Sequence, residues 1–130
     1  MTDTPDTPDT PAAEGVVHPV TDATYHKMVL NSREPVLVAF VEETDSTCRA
    51  LGPILNDVAR ERAGRLMVAT IDVAANPAVS HAWGITQVPV MLLFQQGVLQ
   101  RVLRGVRPYA RLIQEIDEVP SAHGRYPALH

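Results

Sequence analysis

The sequence predicts an α/β domain in which helices cover both faces of a central mixed β-sheet. Nearly continuous apolar runs, of the kind found in strands buried on both faces, alternate with helical stretches along the chain. The last two predicted strands are joined by the short turn Gln95–Gly97, which indicates an antiparallel hairpin. The predicted order is β-α-β-α-β-α-β-β-α, and alternation followed by a hairpin combines parallel and antiparallel strands in one sheet.

The first strand and helix lie at the start of this series. Residues Val16–Val20 are predicted to form a short edge strand, because Pro19 has no N–H to donate to a ladder. Thr21 or Asp22 can cap a helix that runs to about Asn31.

The next strand, Val36–Val41, is a continuous apolar run, as burial on both faces requires. A helix is predicted from about Ser46 to Ala63, where Gly64 ends it. Pro53 lies inside this helix and is expected to kink it.

The second half of the chain repeats the pattern. Leu66–Ile71 is a buried strand, and a short helix follows with Asn76 as N-cap, Pro77 at its first position and Gly84 at its end. The hairpin strands are Val90–Phe94 and Leu99–Leu103. Pro108 opens the last helix, whose apolar face comprises Leu112, Ile113, Ile116 and Val119.

The chain divides into a tail, one domain and a second tail. Residues 1–15 repeat Asp-Thr-Pro and hold four acids and no base, so we expect a disordered acidic tail. Residues 16–119 form the domain, and residues 120–130 are expected to be a flexible C-terminal tail. The rest of the chain balances 11 acids with 11 bases, so no basic footprint for nucleic acid is expected.

Composition excludes several other classes. No apolar run approaches the roughly 18 residues of a membrane span, and the N-terminus lacks the features of a secretory signal. The single cysteine excludes an intramolecular disulfide, so we expect a cytoplasmic protein. The five histidines have no metal-ligand spacing, so we expect neither a metal nor another cofactor.

Several separated segments together resemble the thioredoxin family. The strand Val36–Val41 leads through Thr44–Cys48 into a helix, and Val88-Pro89-Val90 begins a later strand. This is similar to the thioredoxin active site, a Cys-x-x-Cys at the start of a helix beside a cis-proline. Trp83–Pro89 and Leu93–Gly97 resemble the segments around that proline and the closing hairpin. The resemblance covers residues 16–119 and implies the thioredoxin fold.

The departures from this family pattern fall in the active-site chemistry. Asp45 stands at the position of the nucleophilic cysteine, and only the second cysteine remains, as Cys48. Against the family pattern, Thr44 replaces a Trp, Ser46-Thr47 replace Gly-Pro, Ala39 replaces a buried Asp, and Thr70 replaces its Lys partner. The loss of all these groups implies that dithiol exchange is not the activity.

Physical chemistry agrees with this interpretation. Releasing product from a mixed disulfide needs a second, resolving thiol, which a single cysteine cannot supply. Asp45 is expected to cap the helix itself and to disfavour a thiolate at Cys48 three residues later. We therefore expect a weakly acidic, buried or half-buried thiol; a small core residue and a partner-trapping thiol both stay open for Cys48.

Pro89 has the position of the family's cis-proline, and the resemblance implies a cis bond there. In that fold the backbone before this proline pairs with an extended peptide. Val88 would offer that pairing, Val90 would add apolar surface, and Trp83 would flank the groove as a core residue.

Four arginines, Arg101, Arg104, Arg107 and Arg111, crowd the last strand and helix. They are either a solvated face or a surface for an acidic partner or the chain's own acidic tail.

Three functions remain open from the sequence. The first is a noncatalytic protein-binding or chaperone-like module, which acts on protein clients or a specific partner through the groove beside Pro89; Asp45–Cys48 is similar to the Ser-x-x-Cys motif of chaperedoxin-type domains. The second is a monothiol oxidoreductase that forms intermolecular mixed disulfides through Cys48. The third is a noncatalytic subunit that stiffens a larger complex.

Overall fold

The computed structural model describes residues 15–118. The predictions for the two tails lie outside this range except at Gly15, and so does the one for Val119.

The sheet is mixed and has five strands. Their bounds are β1 Val17–Pro19, β2 Val36–Val41, β3 Met67–Asp72, β4 Val90–Gln95 and β5 Val98–Arg104. They are arranged in the order β1-β3-β2-β4-β5. The first three of these run parallel, whereas β4 is antiparallel to both β2 and β5. This arrangement confirms the predicted fold class and the predicted edge strand at Pro19.

Helices cover both faces of the sheet. Three are α-helices, α1 Ser46–Glu61, α2 Pro77–Ala82 and α3 Tyr109–Asp117, and a π-helical turn spans His26–Leu30. No helix within residues 15–118 is long and apolar enough to cross a membrane.

Strand alternation divides the core into two clusters. On one face Leu37 and Ala39 of β2 pack with α1 and with Leu112 of α3. On the other face Val38 and Phe40 pack with α2 and with the segment around the π-helical turn. Because both faces of β2 are buried, its continuous apolar run is explained.

The first helix differs from the prediction. It is a π-helical turn, in which the N–H of Asn31 reaches the carbonyl of His26 at 3.0 Å, five residues back. Thr21 begins the segment, since its Oγ1 accepts the N–H of Thr24 at 3.2 Å. The helix is therefore shorter and wider than the α-helix that the sequence predicts.

Asp22 caps a different helix, α2. Its two carboxylate oxygens accept the N–H groups of Ala78 and Val79 at 3.1 and 2.9 Å. The side chain of Asn76 makes no cap bond to α2 and instead accepts the N–H of Asp22 at 3.0 Å. Asn76 and Pro77 thus occupy their predicted N-cap and first positions, but the capping bonds come from Asp22, a residue distant in sequence.

The hairpin turn between β4 and β5 fixes the far end of the sheet. Gln96 and Gly97 both have positive φ, at 52° and 80°, as a two-residue turn of type I′ requires. A Cβ on Gly97 would lie 2.8 Å from the carbonyl oxygen of Leu30, so the turn also needs a glycine for close packing.

Candidate functional site

The candidate site lies at one end of the sheet, where β2 ends and β4 begins. Phe40 of β2 pairs with Val90 of β4, so the segment after Val41 and the segment before Val90 emerge side by side. The topology therefore brings the loop Glu42–Asp45 and the start of α1 to the same edge as Val88-Pro89.

Asp45 is the N-cap of α1, as predicted. Its backbone is extended, and its Oδ1 accepts the N–H of Cys48 at 3.0 Å. Its own N–H bonds the carbonyl of Glu42 at 3.0 Å, which closes the loop into a turn. Thr44, Ser46 and Thr47 are exposed around this cap. The carboxylate thus takes the place at the helix N-terminus where a thiolate would be stabilised.

The Cys48 thiol is buried, with 6% of the residue exposed. Its Sγ accepts the N–H of Glu42 at 3.4 Å. Burial raises the pKa of Cys48, the Glu42 N–H opposes this effect, and the carboxylates of Asp45 and Glu42 raise the pKa further. The site therefore holds a protonated, shielded sulfur at neutral pH, in line with the expected weakly acidic thiol.

The Val88–Pro89 peptide bond is cis, as expected. Pro89 is buried and Val88 is half-buried. The carbonyl of Pro89 accepts the N–H of Gly105 at 2.9 Å, which ties the segment to the end of β5. Within residues 15–118, however, the N–H and C=O of Val88 make no hydrogen bond. One residue at the site thus presents a free backbone donor and acceptor.

Val90 does not add apolar surface to this site. It is 6% exposed and packs in the core cluster with Leu92 and Phe94. Strand alternation turns all three side chains toward the face covered by α2. Its burial contradicts the expectation that Val90 adds much apolar surface, whereas its contact with a peptide stays a prediction.

Trp83 packs against aromatic residues of the core. Its indole Nε1 donates to the hydroxyl of Tyr25 at 2.8 Å, and its ring meets Phe94 edge to face at 5.6 Å. Trp83 and Val90 line one cavity with a volume of about 130 Å³. At 38% exposure Trp83 is a surface aromatic rather than the predicted core residue.

Ala39 and Thr70 are register partners on β2 and β3. Ala39 is fully buried and contributes only a methyl group. Neither residue carries an ionisable side chain, so this register pair supplies no carboxylate–ammonium pair.

Three of the four C-terminal arginines form ion pairs that were not predicted from the sequence. Buried Glu115 accepts from Arg107 at 2.9 Å and from Arg111 at 3.1 Å. Arg101 bonds Glu118 at 3.2 Å, whereas the Arg104 side chain is exposed. The spacing Arg111–Glu115, one helical turn, was the available signal. These ion pairs connect α3 to β5 and to the loop between them, so the paired arginines do not form a free basic surface.

No group of three or more His, Cys, Asp or Glu side chains in the described part of the chain is placed to hold a metal ion.

Comparison with known proteins gives a consistent result. The family model for thioredoxin matches residues 16–118. The thioredoxin of Mycobacterium tuberculosis (strain H37Rv) is 35% identical over 100 residues, which is 77% of this chain and 86% of that protein. Thioredoxin 1 of Nostoc sp. is 30% identical over 99 residues, covering 76% and 92%. A bifunctional thioredoxin reductase/thioredoxin of Mycobacterium leprae is 34% identical over 105 residues, 81% of this chain but only 23% of that longer protein.

Proposed function

Since the chain belongs to the thioredoxin family, we propose that it is a protein-binding, chaperone-like member that carries out no dithiol–disulfide exchange. It binds protein clients or one specific partner noncovalently, through the backbone of Val88 beside cis-Pro89. The free donor and acceptor of Val88 are the observation that carries this proposal.

The thiol chemistry supports the noncatalytic half of the proposal. In dithiol exchange one thiolate attacks the substrate disulfide, and a second thiol displaces the reduced substrate and forms the enzyme disulfide. Cys48 is the chain's one cysteine, so the second step has no intramolecular thiol. Asp45 carries no sulfur and cannot perform the first step.

The environment of Cys48 argues against a monothiol enzyme as well. An attacking sulfur must be ionised and accessible. Cys48 is buried, and burial and neighbouring carboxylates raise its pKa. A small external thiol could resolve a mixed disulfide only if that disulfide formed first, and both properties slow its formation.

The backbone at Val88 supports the binding half. A half-buried residue with an unpaired N–H and C=O can add one rung of strand-like pairing to an extended peptide. Such pairing is independent of client sequence, because it uses only main-chain groups. A chaperone-like protein must bind clients of different sequence, which main-chain pairing allows. We also place the protein in the cytoplasm, because thiols stay reduced there and the chain has a single cysteine.

A binding titration tests the proposal. An extended, cysteine-free apolar peptide is titrated into the ¹⁵N-labelled chain, and the Val88 amide should shift among the first. Val88→Asp should weaken binding by about tenfold, or about 1.4 kcal/mol, because it places a charge where peptide must pack. Val98→Asp is the matched control, since Val98 is 55% exposed at the opposite end of the sheet.

Cysteine-dependent measurements separate the alternatives. Cys48→Ser should leave peptide binding unchanged and the insulin-reduction rate at background. Turnover of insulin by the natural chain, or binding that disappears with the Cys48 sulfur, would contradict the proposal and favour the monothiol oxidoreductase. Equal losses in Val88→Asp and Val98→Asp would show that Val88 is not the contact.

A further inference from the structure

A second cavity lies at the end of the sheet opposite Val88-Pro89. It has a volume of about 250 Å³ and lies where the C-terminal ends of α1 and α3 approach the start of β2. Its lining includes three apolar side chains, those of Leu66, Leu93 and Ile116. This volume is below the roughly 300–1,000 Å³ of small-molecule sites, so it suits one or two side chains of a peptide.

Two arginines line this cavity, and neither has its donors fully used. Arg62 bonds Asp117 at 2.7 Å, but its buried Nε has no hydrogen-bond partner among the described residues. Arg65 donates to the carbonyl of Glu61 at 3.1 Å and has no carboxylate partner in the same part of the chain. Buried unpaired donors are costly, and a guanidinium pairs best with a carboxylate. Asp117 also lines the cavity and pairs with Arg62, which leaves the charge of Arg65 uncompensated, so the cavity favours an acidic occupant.

The chain itself contains such an occupant next to the cavity. Residues 1–14 hold Asp3, Asp6, Asp9 and Glu14 with no Lys or Arg, which accounts for the formal net charge of -4. This segment joins the fold at Gly15, where a Cβ would lie 3.9 Å from the Cβ of Ala63, between the two arginines in sequence.

The other terminal segment does not fit. Residues 119–130 contain no Asp or Glu and carry Arg125 with two histidines. They therefore offer no side-chain carboxylate to Arg62 or Arg65.

We infer that residues 1–14 bind across this cavity, with their carboxylates paired to Arg62 and Arg65. The reach is sufficient, since the six residues from Asp9 to Gly15 span up to about 20 Å when extended. The segment repeats every three residues, so a proline ring accompanies each aspartate and can contact Leu66, Leu93 or Ile116 beside a paired carboxylate. The contact leaves the Val88 groove open and is independent of the proposed function.

Paramagnetic broadening in the full chain tests this inference. A nitroxide is attached through Thr7→Cys in the Cys48→Ser background, so that the chain has one labelling site. The amides of Leu66 and Gln95 at the cavity should broaden, whereas that of Val88 should not. About 0.5 M salt should restore the intensities, because it shortens the screening length well below its roughly 10 Å at 0.1 M.

Charge-neutral variants make the test specific. Arg65→Gln should abolish the broadening. This substitution should leave the fold intact, because Arg65 is exposed. Arg60→Gln is the matched control on the same helix, since Arg60 pairs with Asp57 and does not line the cavity. Replacing the three aspartates of residues 1–14 by asparagine should have the same effect as Arg65→Gln. Broadening centred on Val88, broadening unchanged by Arg65→Gln, or none at all would overturn the inference.

Discussion

The N–H of Cys48 donates to the carboxylate of Asp45 at 3.0 Å, so one side chain both caps α1 and sets the electrostatics of the remaining thiol. The helix N-terminus favours a negative charge, and Asp45 already supplies it. A second anion three residues later would lie beside the first. The position that stabilises a reactive thiolate in a Cys-x-x-Cys motif here suppresses one.

The pH dependence of Cys48 alkylation follows from this pair. Burial is the largest cause of the raised pKa, followed by the nearby carboxylates, so native labelling should be slow and its midpoint should exceed about 8.5. Asp45→Asn keeps a good N-cap but removes the charge, so it should lower the midpoint only partly. Mass spectrometry of iodoacetamide labelling against pH measures both midpoints. A midpoint below about 8.5 in the natural chain would contradict this account.

The same raised pKa makes stability depend on pH. The folded chain keeps the Cys48 proton in a range where the unfolded chain has lost it, so unfolding is favoured as the pH rises. The stability from this site is fully present below about pH 8.5 and is lost above it. Urea unfolding between about pH 7.5 and 9.0 should show a falling midpoint, a range in which tyrosines of the unfolded chain, with an ordinary pKa of about 10, keep most of their protons. Burial raises the pKa of Tyr25 in the folded chain as well, so its contribution enters above this range. Cys48→Ala should flatten the trend, and an equally steep fall in that variant would assign it to another group.

Restoring the missing sulfur tests the geometry of the loop. Asp45→Cys places a second thiol at the N-cap, three residues before Cys48, which is the arrangement of a Cys-x-x-Cys motif. We expect an intramolecular disulfide under mild oxidation, detected as the loss of two hydrogens by mass spectrometry and of both free thiols. Ser46→Cys offers a control, since its side chain is exposed and lies one residue further along α1. Equal oxidation of both variants, or none in Asp45→Cys, would count against the assigned cap geometry.

The sequence predicts the fold well because its main signals are local. The buried strands, the hairpin turn and the cap at Asp45 each depend on residues close in the chain, and the structure has all of them. The errors concern distant contacts. Asp22 accepts the N–H of Ala78, which lies more than 50 residues later in the chain. Val90 is buried because a helix covers its face of the sheet. No local pattern encodes which face a neighbouring element will cover.

The distant cap at Asp22 should contribute measurably to stability. Asp22→Ala removes both bonds to the first turn of α2, and we expect a loss of about 1 kcal/mol in the free energy of unfolding. Asn76→Ala removes the bonds of Asn76 to the Asp22 N–H and to the Asp72 carbonyl, and it should cost less, because neither bond involves a charged group and the α2 amides stay capped. Urea denaturation of the two variants measures the difference. A larger loss in Asn76→Ala would reassign the cap.

The buried carboxylate of Glu115 forms ion pairs with both Arg107 and Arg111. Glu115→Gln leaves Arg107 mostly buried, at 19% side-chain exposure, without its counter-charge, and its Nε already lacks a partner in the described chain. Breaking a buried pair costs roughly 3–5 kcal/mol, and we expect about 3 kcal/mol here because Arg107 keeps some solvent contact. Arg111→Gln removes the other partner, but its side chain is 64% exposed, so the loss should stay below about 1 kcal/mol. Unfolding free energies from urea titrations give both values. Similar losses of unfolding free energy in the two variants would mean that the stabilisation by these ion pairs does not depend on the burial of Glu115.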